Sequence, residues 1–137
     1  MKPAVDSSVV IAAFSSWHAL HAQALRIIDE GATLPAHAGF ETYSVLTRLP
    51  EPTRASPPRV SQFLRDAFAD EWLTLPGSSL AALVQELAEL GIRGGATYDA
   101  LIGATVRAAG SSLVTCDRRA LITYERLGVK VEVLEAG

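Results

Sequence analysis

Cysteine is all but missing from this sequence: Cys116 is the only one in 137 residues. A lone thiol has no partner within the chain, which excludes a disulfide framework and agrees with a reducing compartment. Histidine is scarce and poorly placed for a nitrogen–sulfur metal site, because His18, His21 and His37 all fall in the first third. No apolar run approaches the ~18 residues that a membrane span requires. The opening MKPAVDSSVVIAAF is too short for a secretory signal and carries an acid in its apolar stretch, so cytoplasm is the expected location. Lysine is nearly absent as well: Lys2 and Lys130 accompany ten arginines. Arginine suits bidentate contacts to phosphate, and it equally reflects a genome's coding bias.

What is present is the balance of an ordinary globular core, 49% apolar and 20% charged. A chain of this length suits one domain, residues 1–137, that buries roughly two-thirds of its unfolded surface without a structural metal. Net charge is −3, which by itself speaks against a nucleic-acid partner. That sign depends on what four acids do. If Asp6, Glu41, Asp99 and Asp117 hold a cation, fifteen acids less these four leaves eleven against twelve bases.

Short apolar runs alternate with longer helical periods, the pattern of a parallel sheet covered by helices. About five short strands are expected, at residues 3–5, 32–35, 72–75, 112–115 and 130–134. The first helix follows Asp6, with Ser7 or Ser8 as its cap and Val9, Val10, Ile11 and Phe14 on its buried side. Further helices are expected over 18–30, 38–49, 59–69, from Ser78 or Ser79 to Leu90, 97–109 and 118–127. The stretch PEPTRASPP reads as a loop with four prolines.

Asp6 and Asp117 follow predicted strands, and Glu41 and Asp99 lie in the first turns of predicted helices. All four can therefore face one end of the sheet, where α/β proteins build their sites. Carboxylates gathered in a cleft disfavour one another's charge, so protons or a divalent cation must compensate. An all-oxygen set favours Mg²⁺ or Mn²⁺ over Zn²⁺, and its natural chemistry is phosphodiester hydrolysis by an activated water. Each acid also has a plain structural reading. Asp6 and Asp117 suit helix caps, Glu41 a solvated helix start, and Asp99 a favourable place on its helix dipole. The functional reading rests on the set.

The segments around these acids resemble a known family. AVDSSVVIAAF, FETYSVLTRLP, GGATYDALIGATVRAAG and SLVTCDRRA are similar to the four motifs of the PIN domain, and within it of the VapC-type toxins of toxin–antitoxin pairs. The resemblance covers nearly the whole chain and implies a three-layer α/β/α fold. It implies a ribonuclease that uses Mg²⁺ or Mn²⁺, with Asp6, Asp99 and Asp117 touching the metal directly or through water. Glu41 would complete the shell or orient the attacking water. Thr115 and Ser8 would support the metal shell or a phosphate oxygen, with a capping hydroxyl as the other reading of Ser8. Arg48, Arg118 and Arg119 are the candidates for the RNA backbone; Arg118 or Arg119 would alternatively pair with Glu125 or offset the charge of the empty site. Trp17 suits either base stacking or packing. The resemblance further implies a homodimer and a cognate VapB-type antitoxin lying along apolar faces near residues 10–14, 18–28 and 41–49.

Two rival classes remain to be weighed. A PIN-like module that binds without cutting has no reason to keep four repelling charges together. A response-regulator receiver would need an acidic pair after the first strand and a lysine after a late one, whereas Asp6 stands alone and Lys130 opens a strand.

Overall fold

The computed structural model describes residues 1–136. Three short strands, β1 (Ala4–Val5), β2 (Leu113–Thr115) and β3 (Val131–Val133), form a parallel sheet in the order β1-β2-β3. Ala4 and Val5 stand opposite Leu113 and Val114, and Leu113 to Thr115 stand opposite Val131 to Val133. The expected strands at 32–35 and 72–75 do not develop. They survive as isolated parallel bridges, Ala4↔Thr33 and Pro35↔Leu73, that extend the sheet beyond β1. Pro35 offers no N–H to lengthen that ladder.

Seven helices connect these segments among the described residues: α1 (Ser7–Phe14), α2 (His21–Asp29), α3 (Ala36–Arg48), α4 (Pro57–Ala67), α5 (Gly77–Leu90), α6 (Ala96–Ala108) and α7 (Arg118–Arg126). Several boundaries differ from the sequence expectation, each for a local reason. Asp6, rather than Ser7 or Ser8, caps α1 by accepting the Ser8 and Val9 N–H groups. Helix α2 starts at His21, because His18 Nδ1 accepts the Leu20 N–H at 3.0 Å and turns the chain first. Pro57 and Pro58 belong to α4, where proline suits the opening turn and Ser56 caps it. None of the helices among the described residues is long and apolar enough to cross a membrane.

The order of crossovers locates the working end of the sheet. From β1 the chain steps outward through Thr33 to Leu73, then returns past β1 and steps the other way through β2 to β3. Right-handed crossovers place the helices of the two excursions on opposite faces. Most of the packing agrees: α1 packs on α2 and α3, and α3 on α4, while α6 packs on α5 and α7, with α3 also meeting α6. The direction reverses between β1 and β2. In parallel sheets the crevice at such a reversal, beyond the carboxyl ends of the strands, is where ligands bind. Asp6 directly follows β1, and Asp117 lies two residues beyond β2.

Beneath that crevice the main core gathers Val5, Val9, Val10, Leu34, Leu46, Val60, Ile102, Val106 and Leu113. A smaller cluster of Leu83, Leu87, Ala100, Ala104 and Leu127 joins α5, α6 and α7. Because Val9, Val10, Ala12 and Ala13 are buried in this packing, most of the apolar face expected near residues 10–14 is already used. The open apolar side chains of α3 are Phe40 and Tyr43 instead.

Candidate active site

Asp6 is the best-anchored of the four acids. It is 3% exposed, and five donors converge on its carboxylate. Oδ1 accepts the N–H groups of Ser8 (3.1 Å) and Val9 (3.4 Å) and the Ser8 hydroxyl (2.5 Å). Oδ2 accepts the hydroxyls of Thr115 (2.6 Å) and Tyr124 (2.7 Å). An ionised carboxylate is an acceptor only, so a shell made entirely of donors matches its charged form. Burial pushes the Asp6 pKa up, and the bonds from Ser8, Thr115, Tyr124 and Val9 pull against that rise.

Ser8 and Thr115 tie this carboxylate to the end of β2. The Ser8 oxygen accepts the Cys116 N–H at 2.8 Å, and the Thr115 oxygen accepts the Asp117 N–H at 3.0 Å. With both hydroxyl protons committed to Asp6, the 3.3 Å approach of the two oxygens has no proton to share. These hydroxyls hold Asp6 and the β2 turn together, a contact that supports the carboxylate expected to hold the metal. Asp117 caps α7 through the Arg119 N–H at 2.9 Å, as Asp6 caps α1. Capping and membership of the cluster coexist in both residues.

Glu41, in the second turn of α3, accepts the Ser7 hydroxyl at 3.1 Å, and its Oε2 lies 3.5 Å from His37 Nε2. Asp99 lies in the first turn of α6 and registers the other three acids directly. Partial burial, then the charges of Glu41, Asp117 and Asp6, push its pKa up to about 6, with Arg119 opposing. The four acids, from four separate segments, therefore share one electrostatic neighbourhood. Among the described residues no three His, Cys, Asp or Glu side chains are gathered into a ready-made cage. The donor chemistry still suits a divalent cation: oxygen donors only, with excess negative charge that one nearby arginine offsets in part.

The arginines separate. Arg119 stands beside the cluster, its Nε 3.5 Å from Asp117 Oδ1. Arg118 pairs with Glu135, not with Glu125. Arg48 lies at the far end of α3, about two turns beyond Glu41, and donates to Ser44 Oγ at 2.9 Å. Trp17 is 59% exposed and tilts against His18 at 5.9 Å. Cys116 is half-buried, its thiol pKa pushed up to about 11 by burial and then by Asp6, so it remains protonated and unreactive.

Sequence reasoning missed Ser7, His37 and Tyr124. Tyr124 left a readable trace, since Ala120, Thr123, Tyr124 and Leu127 make the inward stripe of α7. A tyrosine on a buried stripe must find a partner for its hydroxyl. Its ring sits against Gly103, where a Cβ would meet the Tyr124 Cδ1 at 3.1 Å.

Comparison with known proteins identifies the family. The PIN domain family model matches residues 4–126. The protein named Ribonuclease VapC40 of Mycobacterium tuberculosis, in strains CDC 1551 / Oshkosh and ATCC 25618 / H37Rv, is 50% identical over 131 residues, covering 96% of this chain and 98% of its own. Ribonuclease VapC27 of Mycobacterium tuberculosis strain ATCC 25618 / H37Rv is 41% identical over 136 residues, covering 97% of this chain and 98% of its own. With this match over most of its length and relatives of 50% and 41% identity, the chain belongs to the PIN-domain family, among the VapC ribonucleases.

Proposed function

We propose that this protein is the toxin of a type II toxin–antitoxin pair, a cytoplasmic endoribonuclease that hydrolyses RNA phosphodiester bonds with Mg²⁺ or Mn²⁺. The whole of residues 1–137 acts as one unit. The observation that carries this reading is the placement of Asp6 and Asp117 just beyond the adjacent strands β1 and β2, with Asp99 near enough that, besides burial, the charges of Glu41, Asp117 and Asp6 raise its pKa, a concentration of negative charge that calls for a cation.

Asp6, Asp99 and Asp117 are the metal-holding residues in this reading. Asp6 already has five donors, so it contributes a fixed, pre-oriented charge at the floor of the site. Glu41, steadied by Ser7, completes the shell or orients the attacking water. When bound, a divalent cation neutralises the phosphate and makes hydroxide cheaper to form. Arg119 is the arginine best placed to meet the RNA backbone, being 94% exposed in its side chain and next to the cluster. Arg118 reaches RNA only after leaving Glu135, and Arg48 meets a more distant part of the strand. The partners are RNA, a second copy of the chain and a VapB-type antitoxin. An apolar hollow lined by Phe40, Tyr43, Leu64 and Trp72 offers such a partner a face on α3.

The test is cleavage of total cellular RNA by the purified protein in Mg²⁺ or Mn²⁺ and again in chelator, alongside Asp6→Ala and Asp99→Asn. Activity only in the wild type with metal supports the reading; activity that persists in chelator or in both variants overturns it. Growth arrest on expression, relieved by a co-expressed antitoxin, tests the toxin assignment separately.

A further inference from the structure

One aromatic pair borders the carboxylates and touches them only through His37. Tyr98 precedes Asp99 in the first turn of α6, and its ring lies parallel to that of His37 on α3, with centroids 5.2 Å apart and planes 9° from coplanar. His37 Nε2 in turn lies 3.5 Å from Glu41 Oε2. The pair thus spans the two helices that carry Glu41 and Asp99. Tyr98 is 53% exposed although His37 covers one face of its ring. An aromatic plane held in place by a neighbour, in a residue still half exposed, loses little freedom when a second flat group settles on it.

We propose that Tyr98, backed by His37, is a stacking platform for one unpaired RNA base beside the scissile phosphate. This proposal rests on the ribonuclease reading above. The flat, ordered geometry favours a base over an aliphatic side chain, because stacking uses a whole π-face and needs no hydrogen-bond complement. Position supports the same occupant: a strand whose phosphate reaches Asp99 passes next to the residue before it. Trp17 is as exposed, but it is tilted against its own neighbour, His18. Tyr98 selects an unpaired base at one position, and so favours loops over helical RNA.

The experiment measures the binding of a fluorescein-labelled, single-stranded ten-nucleotide RNA in chelator, so that nothing is cut. Tyr98→Ala is expected to weaken binding about ten- to a hundredfold, and Tyr98→Phe to leave it within about twofold, because stacking does not use the hydroxyl. Replacing the bases one at a time by abasic sites should reveal a single position at which the wild type loses affinity and Tyr98→Ala loses no more. Equal affinity of wild type and Tyr98→Ala, or an abasic effect that remains additive with Tyr98→Ala at every position, overturns the platform. So does a Tyr98→Ala defect confined to antitoxin binding. If the wild type cleaves RNA while these results fail, only the platform falls; if the wild type neither binds nor cleaves RNA, both readings fall.

Discussion

The Tyr124 hydroxyl donates to Asp6 Oδ2 at 2.7 Å, linking the inward face of α7 to the acid that ends β1. Both residues are buried, and the bond joins positions 118 residues apart. The acid at one end of the chain is therefore oriented by a helix near the other.

Tyr124→Phe removes that donor while keeping the ring against Gly103. Hydrogen bonds to charged groups contribute about 1.5–3 kcal/mol, and a buried carboxylate cannot recover the loss from bulk water. The expected outcome is a drop in stability of about 2 kcal/mol by chemical denaturation. Cleavage activity should fall with it at temperatures where the variant is fully folded. A variant as stable and as active as wild type would show that Ser8, Thr115 and the two N–H groups suffice to hold Asp6.

Thr115→Val tests the other side of the same carboxylate. Thr115 is fully buried and serves both Asp6 and the Asp117 N–H, so the change takes one of two donors from Asp6 Oδ2 and leaves the Asp117 N–H without its acceptor. A loss of about 2–4 kcal/mol is expected. Combining it with Ser8→Ala should cost less or more than the sum of the two, because both hydroxyls bind one carboxylate. Strict additivity in a double-mutant cycle would contradict the network.

Asp99 contributes a defined part of the pH dependence of the metal-free protein. Its ordinary value is 3.8 and its folded value about 6. Between the two, the folded state holds a proton that the unfolded state has lost. Stability therefore falls as pH rises through this window, and the loss is complete above it. A divalent cation competes with the same proton. Thermal melts should show little stabilisation by Mn²⁺ at about pH 5 and a larger, constant one above about pH 7. A Mn²⁺ effect independent of pH would place the cation away from Asp99.

Asp99→Asn should move stability and activity in opposite directions. Without metal at neutral pH it removes one of four crowded charges, and stability should rise by about 1 kcal/mol once solvent screening is allowed for. That gain should shrink as pH falls from about 6 towards about 4 and vanish below about pH 3, where wild-type Asp99 is protonated in both states. A destabilised variant at pH 8 would mean that the Asp99 charge is already compensated by the protein.

Much of this was legible in the residues, and the misses have physical causes. The helices announced themselves by apolar spacing and caps; the four acids stood after strands or in opening turns, but it was the resemblance of their segments to the PIN motifs that singled them out, Glu41 above all. The five expected strands became three strands and two bridges, because Thr33 and Leu73 meet their neighbours at single points and Pro35 breaks the ladder. Roles that depend on distance in space were hidden. Nothing local to Ser8 or Thr115 says that their protons go to Asp6 rather than outward, and nothing near Tyr124 names a partner at the opposite end of the chain. Arg118 shows the same limit, since its partner Glu135 lies beyond the last strand.

The most direct test of the central claim is the rate of RNA cleavage by Asp99→Asn against wild type, at saturating Mn²⁺ and with both proteins fully folded. The account predicts that the variant loses at least about a hundredfold in rate, of the order that removal of one preorganised electrostatic group costs. A variant that cuts RNA at the wild-type rate under those conditions would contradict it.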